Sequence, residues 1–276
     1  MKINQTDFDL NRCHIMGILN VTPDSFSDGG KWNNLDQALF HTEEMIRDGA
    51  ELIDIGGEST RPGCQKVTEL EELDRVIPYI EAVRKKFDIP VSVDTYKAEV
   101  AREAVLAGAG MINDIYGFRG DEKMAETAAK AGVPCCIMHN RDLEKYPYTD
   151  VVEDVLRDLK ESVETGLASG VKKENIIIDP GIGFGKTFEN NLFVMNHIEK
   201  LLELGYPVLL GTSRKSMIGL ALGLPVEERI EGTIATTVLG VIKGCSFVRV
   251  HDVKENYRAL KMTEAILYSE IEKAGL

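Results

Sequence analysis

Residues 15–30 read IMGILNVTPDSFSDGG, and the parsing of this stretch decides the fold. Ile15 to Leu19 is an apolar run of strand length with no polar alternation, the pattern of a strand buried on both faces. Asn20 stands at its end. Thr22-Pro23-Asp24-Ser25 and Ser27-Asp28-Gly29-Gly30 then supply turn and loop chemistry around one aromatic, Phe26. A strand tip that presents a polar side chain and then a long Gly/Ser/Asp loop is suited to closing over a ligand.

The same unit recurs down the chain. Apolar runs fall at 15–19, 52–55, 91–93, 111–115, 133–138, 176–178, 208–210 and 247–250. Helical patterns fill the gaps, at 35–48, 69–87, 97–108, 121–131, 150–169, 189–204 and 226–243, with a last one at 253–273. Strands that each precede a helix predict an α/β fold, a single (β/α)8 TIM barrel, rather than an open sheet. Residues 2–13 fit a short N-terminal hairpin. With no linker and no low-complexity stretch, the expectation is one domain across residues 1–276.

Composition narrows the function classes. The 276 residues are 43% apolar, enough for a full core, and carry 45 acidic against 32 basic groups, a formal charge of −13. That balance disfavours nucleic acid and anionic membrane as partners, although a basic pocket can sit inside an acidic protein. No apolar run approaches the ~20 residues of a membrane span, and MKINQTDFDLNR lacks the basic-then-apolar order of a secretory signal. A cytoplasmic location is expected. Five cysteines (13, 64, 135, 136 and 245), an odd count without C-x-x-C, argue against a disulfide framework and a zinc knuckle. His14, His41, His139 and His197 have no metal-ligand spacing and are read as structural.

A barrel makes a specific demand: chemistry belongs at the C-terminal ends of its strands. Those ends carry Asn20, Asp54 before Gly56-Gly57-Glu58, Asp94, Asn113-Asp114, His139-Asn140, Asp179, Ser213-Arg214-Lys215 and Arg249 with His251. One or two of these would serve as helix N-caps, but not the whole ring. Asp94, Asn113, Asp179 and Lys215 offer the donors and acceptors that a small heterocycle with edge N–H groups and a carbonyl requires. Arg249 and His251 suit an anion, since arginine forks onto phosphate oxygens. Asn20 is a neutral oxygen donor suited to Mg²⁺. Together they imply a polar ring at one end of the substrate and a phosphate or diphosphate at the other.

Two loops complete the picture. Gly56 to Gly63, GGESTRPG, is a hinge and turn whose Thr60 and Arg61 can close over an anion or carboxylate. Asp179 to Thr187, DPGIGFGKT, ends like a phosphate-binding loop, but Pro180 stands where G-x-x-x-x-G-K-[ST] needs its first glycine. Its three glycines are read instead as letting backbone approach a flat ligand, with Phe184 as a stacking face.

Taken in order, Asn20 to Gly30, Gly56 to Gly63, Asp94-Thr95, Ile112-Asn113-Asp114, Asp179 to Lys186, Ser213-Arg214-Lys215 and Arg249-Val250-His251 resemble the signatures of the dihydropteroate synthase family, from about residue 14 to 260. Met138 to Arg141 lies where the family varies. The resemblance implies a transferase of folate biosynthesis that joins 6-hydroxymethyl-7,8-dihydropterin diphosphate to p-aminobenzoate. It places Asp94, Asn113, Asp179 and Lys215 on the pterin; Asn20 with Mg²⁺, Thr60, Arg249 and His251 on the diphosphate; and Phe26, Arg61, Pro62, Phe184, Ser213 and Lys215 around p-aminobenzoate, where sulfonamides compete. It also implies a homodimer, with the last two helices as the candidate interface. A pterin-dependent methyltransferase barrel would share the ring contacts without a diphosphate clamp, and a pterin-binding paralogue would keep the pocket without turnover.

Overall fold

Two-residue strands β1 (Lys2–Ile3) and β2 (Thr6–Asp7) pair antiparallel across a turn in which Asn4 adopts positive φ, a conformation asparagine tolerates better than most residues. This is the expected hairpin, and it lies against one end of a barrel. The structure is a computed structural model describing residues 1–22, 31–59 and 66–269, with 31–33 as helix backbone only.

The barrel strands are β3 (His14–Asn20), β4 (Leu52–Gly56), β5 (Val91–Asp94), β6 (Met111–Asp114), β7 (Cys135–Met138), β8 (Ile176–Asp179), β9 (Leu209–Leu210) and β10 (Phe247–Val250). Every ladder is parallel, in the order β8-β7-β6-β5-β4-β3-β10-β9. A parallel bridge between Ile178 and Val208 joins the two ends of that row. The eight apolar runs are thus the eight strands.

Around them stand α1 (Lys31–Asp48), α2 (Glu69–Lys86), α3 (Ala98–Leu106), α4 (Met124–Ala131), α5 (Val151–Ala168), α6 (Phe188–Asn196), α7 (Ser216–Leu222), α8 (Ile230–Ile242) and α9 (Val253–Leu267). Helix α2 starts where Thr68 and Glu71 form a reciprocal cap, and α5 where Asp150 accepts from Val152 and Glu153. The helices differ from expectation in several places, the last ending at Leu267 and not at 273. The pattern at 189–204 divides at His197, which leaves helical backbone and passes the chain into a 3-10 segment, Ile198–Leu204. The pattern at 226–243 opens with a 3-10 turn, Val226–Glu228, before α8. Helix α7 was not foreseen: seven residues give too little periodicity to read, and Gly223 ends it at φ +70.

The two-residue period of each strand sorts its side chains. Ile53 and Ile55 join the large cluster between barrel and helices, whereas Leu52 belongs to a second cluster inside it. That inner cluster stacks Met16, Leu52, Met111, Cys136, Ile177, Leu209 and Phe247 onto Ile3 and Phe8 of the hairpin segment. The hairpin is therefore an apolar plug. One step of two residues further along the strands, the inward positions are Asp54, Asp94, Asn113, Asp179 and Arg249. The floor is apolar and the layer above it is polar.

Candidate active site

Three strands meet at one guanidinium. Arg249 on β10 donates from Nε to Asp54 Oδ2 at 2.6 Å and from a terminal nitrogen to Asp94 Oδ2 at 2.7 Å. Asn113 Nδ2 donates to the same Asp54 oxygen at 3.1 Å. Asp54 is fully buried, and its Oδ1 has no hydrogen-bond partner. Burial opposes the Arg249 charge, but the carboxylates of Asp54 and Asp94 outweigh it and hold the group above the ordinary arginine range. Burial raises the Asp94 carboxyl to about 7, with Arg249 pulling it back and Asp54 pushing it further up.

A second group lies at the adjoining ends of β8 and β9. Asp179 ends β8, and Lys215 precedes α7. Burial pushes Asp179 up while Lys215 and the Gly181 N–H, 2.6 Å from Oδ1, resist. Burial lowers Lys215 to about 8 despite Asp179. A methyl group at Gly211 would stand 3.8 Å from Asp179 Oδ2 and 4.0 Å from Lys215 Nζ, so both groups border one point after β9. Lys215 Nζ also donates to Ile182 O and lies 4.6 Å from the centre of the Phe184 ring.

The third grouping joins the exits of β9 and β10. Ser213 Oγ accepts from the His251 N–H at 3.1 Å and contacts its Nδ1 at 2.9 Å. Between Ser213 and Lys215, Arg214 holds positive φ, fixed by its N–H to Thr233 Oγ1 and by an ion pair from Nε to Asp252 at 2.9 Å. That strained residue lets its neighbours face the mouth together. Beyond β4, Glu58 accepts from Lys97 Nζ at 2.5 Å, and Lys97 also pairs with buried Glu72, which anchors the chain entering the second loop.

The sequence expectations are met unevenly. Asp94, Asn113 and Arg249 converge through Asp54; Asp179, Lys215 and Phe184 form one edge; Ser213 and His251 form another. Asn20 ends β3 in register with Gly56. Phe26, Thr60, Arg61 and Pro62 lie outside the described residues. Sequence reasoning placed Asp54 on the rim but gave it no part, although the step of two from apolar Leu52 was a usable signal. Arg249 was expected on phosphate alone, yet two of its nitrogens serve carboxylates. The β8-loop glycines were expected to face a ligand. In the fold, a Cβ at Gly181 would lie 1.8 Å from His139 O, one at Gly185 2.1 Å from Arg141 O, and one at Gly183 2.9 Å from Lys215.

A closed parallel barrel with buried ionisable groups gathered at the C-terminal ends of its strands defines a barrel enzyme acting on a small polar molecule. The pterin-binding enzyme family matches residues 16–251, and the chain belongs to that family. A dihydropteroate synthase of Clostridium beijerinckii is 62% identical over 97% of this chain and 99% of its own length. One from Bacillus subtilis is 60% identical over 92% and 88%. The crystal structure of a Clostridium difficile dihydropteroate synthase, obtained with pteroic acid, superposes with a TM-score of 0.92 at 53% identity, covering 95% of this chain and all of that one.

Proposed function

We propose that this chain is a dihydropteroate synthase, a transferase that joins p-aminobenzoate to 6-hydroxymethyl-7,8-dihydropterin diphosphate, giving 7,8-dihydropteroate and diphosphate. The observation that carries the reading is the layer formed by Asp54, Asp94, Asn113 and Arg249 opposite Asp179 and Lys215, in a chain of this family. Asp94 and Asn113 take one edge of the pterin, and Asp179 with Lys215 takes another. Carboxylates paired with ring N–H groups tolerate burial that unpaired ones would not.

An aromatic amine is unprotonated at neutral pH, so its attack requires no strong base. The harder task is expulsion of diphosphate from the pterin methylene. Asp94 and Asp179 favour the ring as it becomes electron-deficient, while Arg249 and His251 take the departing charge, a role the family resemblance extends to Thr60. Asn20 would hold Mg²⁺ on the diphosphate. Among the described residues no group of three or more His, Cys, Asp or Glu could hold a metal, so this ion fits as a companion of the substrate's oxygens. When bound it would neutralise leaving-group charge. Phe184, Ser213 and Lys215 border the p-aminobenzoate site, where sulfonamides compete, and the family resemblance assigns Phe26, Arg61 and Pro62 to the same site. Closure of the first two loops would keep water from the electron-deficient methylene.

The functional unit we propose is one domain acting as a homodimer in the cytoplasm. Helix α8 is apolar nearly all round, yet Ala235 and Ile242 are exposed, as are Met262 and Ile266 of α9. Cys13, Cys135, Cys136 and Cys245 are free and buried, which suits a reducing compartment. Incubation with labelled p-aminobenzoate, the pterin diphosphate and Mg²⁺ tests the activity. Labelled dihydropteroate with equimolar diphosphate is expected; pterin binding without labelled product would leave only a paralogue or a methyl-transfer enzyme.

A further inference from the structure

Lys186 has no part in the chemistry above, yet it is half-buried behind the β8 loop with its donors committed. Its Nζ donates to Gly181 O at 3.0 Å and Phe184 O at 3.1 Å, and contacts His139 Nδ1 at 2.9 Å. Burial lowers Lys186 to about 7 against the pull of Asp179; in its ammonium form it only donates, so His139 Nδ1 then accepts and the ring proton sits on Nε2. That nitrogen faces Asp158 Oδ2 at 3.2 Å, and Arg141 holds the same oxygen from Nε at 2.9 Å and from a terminal nitrogen at 2.6 Å. Burial lowers His139 to about 4 against the pull of Asp158, which keeps the imidazole neutral, as the arrangement requires.

A carboxylate–imidazole–ammonium chain therefore runs from α5, past the exit of β7, into the β8 loop. The loop it grips has little room to settle elsewhere. Gly181, Gly183 and Gly185 all hold positive φ, the first and last against the carbonyls of His139 and Arg141. Tyr148 donates to Gly185 O at 2.9 Å, and the Gly183 N–H donates to Asn191 Oδ1 at 2.7 Å. The loop in turn supplies the carbonyl that receives Lys215 and the ring that faces it.

We propose that Lys186, oriented by His139 and Asp158, is a positioning residue that fixes the β8 loop so that Phe184 and Lys215 form a ready-made wall for the p-aminobenzoate ring. The role rests on the synthase reading. It predicts that loss of the clamp is felt by the aromatic amine more than by the pterin, which shares Lys215 but keeps Asp94, Asn113 and Asp179 on strands β5, β6 and β8. Methionine follows the lysine stem but ends one atom short, where the ammonium would be, so Lys186→Met removes the clamp with little change in volume.

The experiment measures both KM values, kcat and thermal stability for the unmutated chain, Lys186→Met and His139→Leu. Lys186→Met is expected to raise the KM for p-aminobenzoate about tenfold or more, the scale of lost hydrogen bonds from a charged donor. The KM for the pterin diphosphate is expected to stay within about threefold, because Asp94 and Asn113 on β5 and β6 still hold that substrate. His139→Leu is expected to move the same constant in the same direction by a smaller factor. A folded Lys186→Met enzyme with an unchanged p-aminobenzoate KM, or with both constants raised equally, overturns the role. Should Lys186→Met not fold, an unchanged p-aminobenzoate KM in His139→Leu overturns it. An unmutated chain that makes no dihydropteroate overturns the synthase reading itself and this role with it.

Discussion

Arg249 Nε donates to Asp54 Oδ2 over 2.6 Å across a separation of 195 residues, tying the last strand of the barrel to its second. Asp54 also accepts from Asn113, so one fully buried carboxylate orients two groups assigned to the substrate. Removing it by Asp54→Ala should destabilise the fold by about 3–5 kcal/mol, the usual penalty for stranding one member of a buried pair. Asp54→Asn keeps the shape and part of the bonding, and should instead lower kcat/KM for the pterin substrate about 10- to 100-fold, as a lost charge-assisted bond would. Calorimetric melting and steady-state kinetics separate the two effects. A normal kcat/KM in Asp54→Asn would mean that Arg249 needs only Asp94.

The raised carboxyl of Asp94 makes ligand binding a proton-linked event. Burial places it at about 7 in the free protein, with Arg249 lowering and Asp54 raising it, against 3.8 for an ordinary aspartate. The native state therefore holds a proton that the unfolded chain has lost over that interval, and stability falls as pH rises from the lower value through the upper one. A pterin ring donating N–H groups needs the carboxylate, so binding below neutrality must expel that proton. Affinity for a pterin analogue should tighten as pH rises through about 7 and then level off. Titration calorimetry in buffers of different ionisation heat should register proton release at the acid end. Asp94→Asn should abolish the release, and a pH-independent affinity in the unmutated chain would contradict the assignment.

A sharper contrast comes from two glycines, Gly181 in the β8 loop and Gly205 after the 3-10 segment Ile198–Leu204. Both Gly181 and Gly205 hold positive φ, at 66° and 74°. A Cβ at Gly205 meets nothing within 4 Å, whereas one at Gly181 would lie 1.8 Å from the His139 carbonyl oxygen. Gly205→Ala should therefore cost only the backbone strain, about 1–2 kcal/mol, with activity unchanged. Gly181→Ala adds a clash with backbone, about 1–3 kcal/mol more, and displaces the N–H that holds Asp179. Its activity should fall along with its melting temperature. Equal behaviour of the two variants would show that the loop yields freely.

What could be read in advance follows from how far each signal travels along the chain. Strand β3 declared itself because an uninterrupted apolar run has one reading at that length, and Asn20 marked its end. The polar layer was legible at the strand ends for the same reason. The partners of those residues were not. Nothing local in Leu52-Ile53-Asp54 shows that its carboxylate meets Arg249, because that contact exists only once the barrel closes. His139 and Lys186 looked like a core histidine and the tail of a broken phosphate loop, and their bond spans 47 positions. Helix α7 escaped notice because its seven residues are too few for a periodic pattern.

The metal proposal can be tested by removal. Asn20 ends β3 as a neutral oxygen donor, and among the described residues no cluster of acidic, histidine or cysteine side chains could hold an ion alone. Mg²⁺ bound mainly through diphosphate oxygens should matter only to ligands that carry them. Chelation with EDTA should weaken binding of the pterin diphosphate by about tenfold or more, since several units of negative charge would then face Arg249 and His251 without a divalent partner. Binding of a pterin analogue lacking phosphates should be unaffected, and so should the melting temperature of the free chain. Asn20→Ala should reduce the chelator's effect on the diphosphate form. If EDTA weakened both ligands alike, or lowered the melting temperature of the unliganded chain, the metal would belong to the fold and not to the leaving group.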